Sequence, residues 1–208
     1  MESLTQLWRT SRGCCLISVL IALLLIFGSC LALGWGLARL SEAAAEPGLD
    51  VILVIDQSGS LWELGGVGSD PDQLRMEGAR LVATYLGVDD AAQDYRLGVV
   101  YFGSQPQLVA PLTPLVGQGS GRQQVLAALS QEPEPLGWTD IDAALAVAYQ
   151  ELFEGQRALP GRATAVVVFT DGRPQTEAIS SPAADDAYLD QLRAWVSRFS
   201  ERGTAFYT

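Results

Sequence analysis

Three stretches of this chain are continuously apolar and rich in β-branched residues: Asp50–Asp56 (DVILVID), Leu97–Phe102 (LGVVYF) and Ala163–Phe169 (ATAVVVF). A strand with one solvated face alternates apolar and polar residues. An unbroken run marks a strand buried on both faces, as in a parallel sheet covered by helices. Helical periods fill the intervals. Asp70-Pro71-Asp72-Gln73 reads as an N-cap, a first-turn proline and a capping-box glutamine, after which Leu74, Gly78, Leu81, Val82 and Tyr85 share one face. Gly121–Leu129 is a short amphipathic segment; Ile141, Ala144, Leu145, Ala148 and Leu152 form a further stripe, and Tyr188, Leu189, Leu192, Trp195, Val196 and Phe199 a fourth. Gln107–Leu112, more polar and interrupted by Pro111, suits an edge strand, and Thr204–Thr208 opens another strand. The alternation predicts an α/β fold: a doubly wound, mostly parallel sheet flanked by helices, with its binding site at the carboxyl ends of the strands.

Ahead of this domain, Cys14–Ala38 carries no charge over 25 residues. As a helix it would cover ~37 Å, more than the ~30 Å of a bilayer's hydrocarbon core and longer than a signal peptide's apolar region. It reads as a transmembrane signal anchor, with a cleaved signal peptide the alternative because Ala43–Ala45 offers an A-x-A site. Arg9 and Arg12 precede the span, which puts the N-terminus in the cytoplasm and the remainder outside. The expected organisation is residues 1–13 cytoplasmic, 14–38 in the cell membrane, 39–48 a linker and 49–208 the extracytoplasmic domain. Cys14, Cys15 and Cys30 all fall in the span, leaving the domain without a disulfide framework or a thiol nucleophile.

The chain has no His, and all 13 of its basic residues are Arg, since there is no Lys; Asn is absent too. Histidine bases, His-ligated zinc, Schiff-base lysines and the P-loop lysine are therefore excluded. The joint lack of Lys and Asn fits a GC-rich genome and points to a bacterial source. Net charge is −11, and residues 1–40 hold three Arg against one Glu, so the acidity belongs to the domain. Nucleic acid is an unsuitable partner for such a surface and a cation a suitable one.

Oxygen-bearing residues gather at the predicted strand ends. The first strand runs into Asp56-Gln57-Ser58-Gly59-Ser60, the 163–169 strand into Thr170-Asp171-Gly172, and Gly137-Trp138-Thr139-Asp140 precedes the 141–152 helix. Asp56, Ser58, Ser60, Thr139 and Asp171 make a set of two carboxylates and three hydroxyls with no nitrogen or sulfur donor. Such a set suits a hard divalent cation, Mg²⁺ with Mn²⁺ as the alternative. The plain structural reading makes Asp56 a turn former and the serines loop residues. Asp140 and Asp142 read as helix N-terminal charges rather than ligands. Gly65–Gly68 and Gly117–Gly121 read as loops rather than phosphate cradles, and Glu63 and Asp70–Asp72 as solvated charge. Trp138 is expected in the core, and Trp62 is weighed between packing and an exposed contact.

Together, Asp-x-Ser-x-Ser after a hydrophobic strand, Gly-x-Thr-x-Ile before an Ala/Leu helix, and a hydrophobic strand ending in Thr-Asp-Gly resemble the von Willebrand factor A (vWA) domain and its metal-ion-dependent adhesion site. The likeness covers about residues 48–208. It implies that Ser58, Ser60 and Thr139 bind the metal directly, that Asp56 and Asp171 act largely through water, and that an open coordination position accepts a Glu or Asp carboxylate from a partner protein. It implies a non-enzymatic, adhesion-type binding module. It also implies a further helix, strand and terminal helix after Thr208, so that the C-terminal part of the fold is missing from this sequence. Leu61 stands where many relatives carry Met, at a position that is not a ligand. Two other functions remain as expectations: an accessory subunit of a membrane complex working with a chaperone-like ATPase, and, more remotely, a Mg²⁺-dependent phosphatase of the haloacid dehalogenase type. The latter wants an Asp where Ser58 stands, and a lysine that the chain lacks.

Overall fold

The computed structural model describes residues 48–208 except 63–67, 89–93, 116–120, 132–133, 173 and 177–181. The chain divides into two units, Met1–Ala45 and Glu46–Thr208, and the described residues belong to the second. The predicted span 14–38 with its three cysteines, Glu63, and the glycine stretches at 65–67 and 117–119 lie outside the described residues. Among the described residues no helix is long and apolar enough to cross a membrane.

Strands β1 (Leu49–Asp56), β2 (Tyr95–Phe102), β3 (Gln107–Pro114), β4 (Ala163–Phe169) and β5 (Ala205–Tyr207) form one sheet in the order β3-β2-β1-β4-β5. β1 is central and pairs in parallel with β2, from Leu49↔Tyr95 to Asp56↔Phe102, and with β4, from Leu49↔Ala163 to Ile55↔Phe169. β5 continues the parallel set, and β3 is the edge strand expected from Pro111, running antiparallel to β2. The sheet is thus mixed, with one edge reversed. Helices α1 (Leu74–Tyr85), α2 (Gly121–Leu129), α3 (Ile141–Tyr149) and α4 (Pro182–Glu201) flank it.

The absence of alternation in β1 has a direct cause in these layers. Val51, Leu53 and Ile55 pack with Met76, Ala79 and Ala83 of α1 and Val125 and Leu129 of α2. Ile52 and Val54 point the other way, against Ala144, Leu145 and Ala148 of α3 and Phe199 of α4. Both parities are buried, so both are apolar. The stripe expected on α3 is the buried one, and Leu152, its last member, lies in a π-helical turn (Gln150–Glu154) that prolongs the helix.

α1 departs from expectation twice. It begins at Leu74 rather than at Pro71, because Gln73 takes a left-handed conformation (φ 55°). Asp70 still caps it from a turn away: its Oδ1 accepts the Leu74 N–H at 2.7 Å and its Oδ2 the Arg75 N–H at 3.2 Å. The buried face also overlaps the expected one only in Gly78 and Val82, which are partly buried. Leu74, Leu81 and Tyr85 are 68 %, 58 % and 67 % exposed, while Arg75, Met76, Ala79 and Ala83 are buried. The helix lies close on the sheet, and close approach selects small residues over large ones. At Gly78 a Cβ would stand 3.1 Å from the Phe169 ring.

Candidate metal centre

Adjacent parallel strands bring the ends of β1 and β4 side by side. Asp56, the last residue of β1, is fully buried. Its Oδ1 accepts the Ser58 N–H at 2.7 Å, a local side chain-to-backbone turn that bends the chain over the strand end. Its Oδ2 accepts the Thr170 hydroxyl at 2.7 Å from the end of β4. The bend aligns the next two hydroxyls, with Ser58 Oγ and Ser60 Oγ 3.1 Å apart. Ser60 Oγ in turn lies 3.5 Å from Asp171 Oδ1. Asp56, Ser58, Ser60 and Asp171 are thus linked in one chain of hydrogen bonds across the ends of β1 and β4.

The Thr139 loop is held to the same place through its backbone. The Gly59 N–H donates to Gly137 O at 2.8 Å and the Leu136 N–H to Gln57 O at 2.7 Å. On the other side, Ser104 N–H donates to Leu136 O, and Ser104 Oγ accepts the Trp138 N–H. Gly137 supplies the left-handed turn (φ 82°) that this stitching needs. Thr139 is buried and exchanges backbone hydrogen bonds with Gln175 at 2.7 and 3.1 Å. Its hydroxyl has no hydrogen-bond partner among the described residues. All five residues singled out by spacing therefore stand at one end of the sheet, Asp56 as the last residue of β1 and the other four on the loops beyond the strands.

Three contributors carried no assigned role in the sequence reading. Thr170 holds one oxygen of Asp56. Ser69 donates its N–H to Ser60 O at 3.1 Å, and its hydroxyl contacts Asp171 Oδ2; no spacing signal marks it. Arg75 is the third. Its buried guanidinium donates to Asp56 O at 2.8 Å, Gln57 Oε1 at 2.7 Å and Asp70 Oδ2 at 2.7 Å, and lies 5.4 Å from the Trp62 ring centroid. An arginine at the start of a helix reads as surface charge, and only the tertiary fold turns it inward. Trp138, expected in the core, is 47 % exposed, and Trp62, weighed between packing and an exposed contact, is partly buried beside Arg75. Asp140 caps α3, accepting the Ala143 N–H at 3.1 Å, as its helix N-terminal reading required.

The donor chemistry fits a hard cation. Burial is the main influence on Asp56 and pushes its carboxyl above the ordinary range, against hydrogen bonds from Thr170 and Ser58; the nearby Asp171 charge pushes it further up. Two carboxylates facing a hydroxyl cluster are the situation that a divalent cation relieves. Among the described residues no group of three or more Cys, Asp or Glu side chains could hold a metal.

The family model for the von Willebrand factor type A domain matches residues 50–200, from the first residues of β1 to the end of α4. The chain belongs to this family. vWA domains are protein-interaction and adhesion modules. No curated protein matches the chain. Among solved structures, proximal thread matrix protein 1 from the mussel byssus is similar with a TM-score of 0.52 and 18 % identity, over 77 % of this chain and 37 % of that one. The same mussel protein has been solved with a zinc-occupied MIDAS motif. The vWF domain of the type V pili tip protein Mfa5 from Porphyromonas gingivalis matches at 16 % identity and a TM-score of 0.49, over 67 % of this chain and 44 % of that one. This vWA chain spans less than half the length of each, and at such identities the likeness concerns the fold alone.

Proposed function

We propose that this vWA domain is a metal-dependent protein-binding module of the adhesion type, displayed outside the membrane by residues 14–38. Ser58, Ser60 and Thr139 would hold Mg²⁺ (or Mn²⁺), with Asp56 and Asp171 supplying negative charge and orienting bound water. The cation would contribute an open, positively charged position for a Glu or Asp carboxylate of a partner protein. Binding requires no bond to break, and the chain's own groups serve to shape and orient the site. Asp56 is held by Ser58 and Thr170, Ser60 faces Asp171, and Arg75 anchors the backbone beneath them. The observation that carries the reading is the convergence of Asp56, Ser58, Ser60 and Asp171 at one strand end, with the Thr139 loop stitched to it.

The test is thermal unfolding with and without Mg²⁺. At tenfold excess over Kd, Mg²⁺ should raise the wild-type midpoint by about 3–6 °C. Asp56→Ala should abolish the rise. Asp171→Asn, at an exposed position with little cost to folding, should reduce it sharply. Equal stabilisation of wild type and both variants, or of none, would sink the reading.

A further inference from the structure

Beside the Thr139 loop, on the α3/α4 side, lies an open groove of about 500 Å³ lined by residues that include Trp138, Asp140, Asp142, Thr176 and Tyr188. Among the described residues that line it, none is basic. Asp140 and Asp142 are each held by one carboxylate oxygen. Asp140 Oδ1 accepts the Ala143 N–H at 3.1 Å and the Tyr188 hydroxyl at 2.9 Å, and Asp142 Oδ1 accepts the Trp195 indole N–H at 2.7 Å. For both residues the other oxygen, Oδ2, has no partner among the described residues. Fixed carboxylates with a free oxygen differ from a mobile acidic cluster, because little entropy is lost when a ligand pairs with them. The Trp138 ring is about half exposed at the same rim, although its backbone is pinned by Ser104. The Thr176 hydroxyl is buried against the groove and has no partner among the described residues. Burial is the main cause that drives the Tyr188 phenol upward, and the negative charges of Asp140 and Asp142 add to it.

We infer that this groove receives a basic side chain, Arg or Lys, that the partner protein carries a few residues from the carboxylate it offers to the metal. The inference rests on the proposed metal-bridged reading and adds to it a chemical class of partner. Two fixed carboxylates complement a cation, and an exposed indole face adds cation–π attraction. Thr139 ends the metal loop and Asp140 begins α3. The two subsites therefore adjoin, and one short partner segment can reach both. The same arrangement disfavours an acidic or phosphorylated neighbour, so the groove would select among carboxylate-bearing partners.

An array of peptides with a fixed central Glu and varied flanks, probed with the full 208-residue chain in Mg²⁺ and in chelator, tests this. Retention in Mg²⁺ should favour peptides with Arg or Lys near the Glu by about tenfold over uncharged flanks. Asp140→Asn combined with Asp142→Asn should erase the preference while keeping Mg²⁺-dependent retention, since Asn still caps α3. Trp138→Ala, at an exposed position, should weaken it independently. Mg²⁺-dependent retention of Glu peptides with no basic preference, or a preference unchanged in these variants, overturns the groove assignment and leaves the metal-bridged reading standing. Retention that ignores Mg²⁺ overturns that reading and, with it, the groove assignment.

Discussion

Arg75 shows how one side chain turns a strand end into a binding site. Three hydrogen bonds fan out from its guanidinium to Asp56 O, Gln57 Oε1 and Asp70 Oδ2, joining the end of β1 to the cap of α1. A planar five-donor fork suits this task, and an ammonium cannot reproduce it. Arg75→Leu should destabilise the domain by about 3–5 kcal/mol, because it leaves the Asp70 carboxylate and two carbonyl oxygens without their donor. Arg75→Lys should cost about 1–3 kcal/mol and also weaken Mg²⁺ binding, since the loop loses its anchor. Chemical denaturation and calorimetric Mg²⁺ titration measure the two effects, and a neutral Arg75→Lys would show that the fork is dispensable. At this scale the site was half legible. Asp56, Ser58, Ser60, Thr139 and Asp171 are readable because their spacing follows from strand ends and turns. Ser69 and Arg75 reach the site through tertiary folding across intervening chain, which leaves no periodic trace.

At the scale of elements, α1 was legible in existence but only in part in orientation. The expected stripe held Leu74, Leu81 and Tyr85, yet the sheet took Met76, Ala79 and Ala83 and kept only Gly78 and Val82 of that stripe partly buried. Hydrophobic size marks a buried face only where there is room for it, and a helix lying close on a sheet has little. Met76→Ala should therefore cost about 2–4 kcal/mol in a denaturant titration. Leu81→Gln, on the exposed side, should fall within about 0.5 kcal/mol of wild type. The reverse order would restore the face read from the sequence.

The π-helical turn after α3 supplies a second element-level device. Glu151 Oε1 accepts the Leu112 N–H of edge strand β3 at 2.8 Å, and Arg157 grips both its oxygens at 2.5 and 2.7 Å. Burial pushes the Glu151 carboxyl up. Hydrogen bonds from Arg157 and Leu112, with the charges of Arg157 and Arg96, outweigh it and leave the group below its ordinary value of 4.5. A carboxyl lowered in the folded state stabilises the fold above the unfolded value, and that contribution fades as pH falls through the folded value. Glu151→Gln should thus lower stability by about 1–3 kcal/mol near pH 7, with the gap to wild type closing below pH 4.5. A gap independent of pH would assign the loss to packing instead.

Over the whole molecule, the sheet separates two jobs along the length of β1. At its start, the buried Asp50 is gripped by Arg96, with Nε at 2.8 Å, and by Arg162, with Nε at 2.6 Å; Arg162 extends the network to Asp94 at 2.6 Å. At its end stands Asp56. Six residues of strand put about 20 Å between the two carboxylates. The strand order was legible only in part, since apolar runs announce buried strands but not which of them is central. The two poles were legible unequally: a strand-end motif has a spacing, whereas an ion network drawn from β1, β2 and the approach to β4 has none. Asp50→Asn breaks a buried pair and should cost about 3–5 kcal/mol of stability. It should leave Mg²⁺ affinity within about twofold of wild type, because no contact joins it to the site. Asp171→Asn should do the opposite, weakening Mg²⁺ binding with little change in metal-free stability. Sites this far apart without shared partners add, so the double variant in chelator should show the sum of the single stability losses within about 0.5 kcal/mol. A larger discrepancy in denaturant titrations would mean that β1 transmits strain from one pole to the other, and the division of labour would fail.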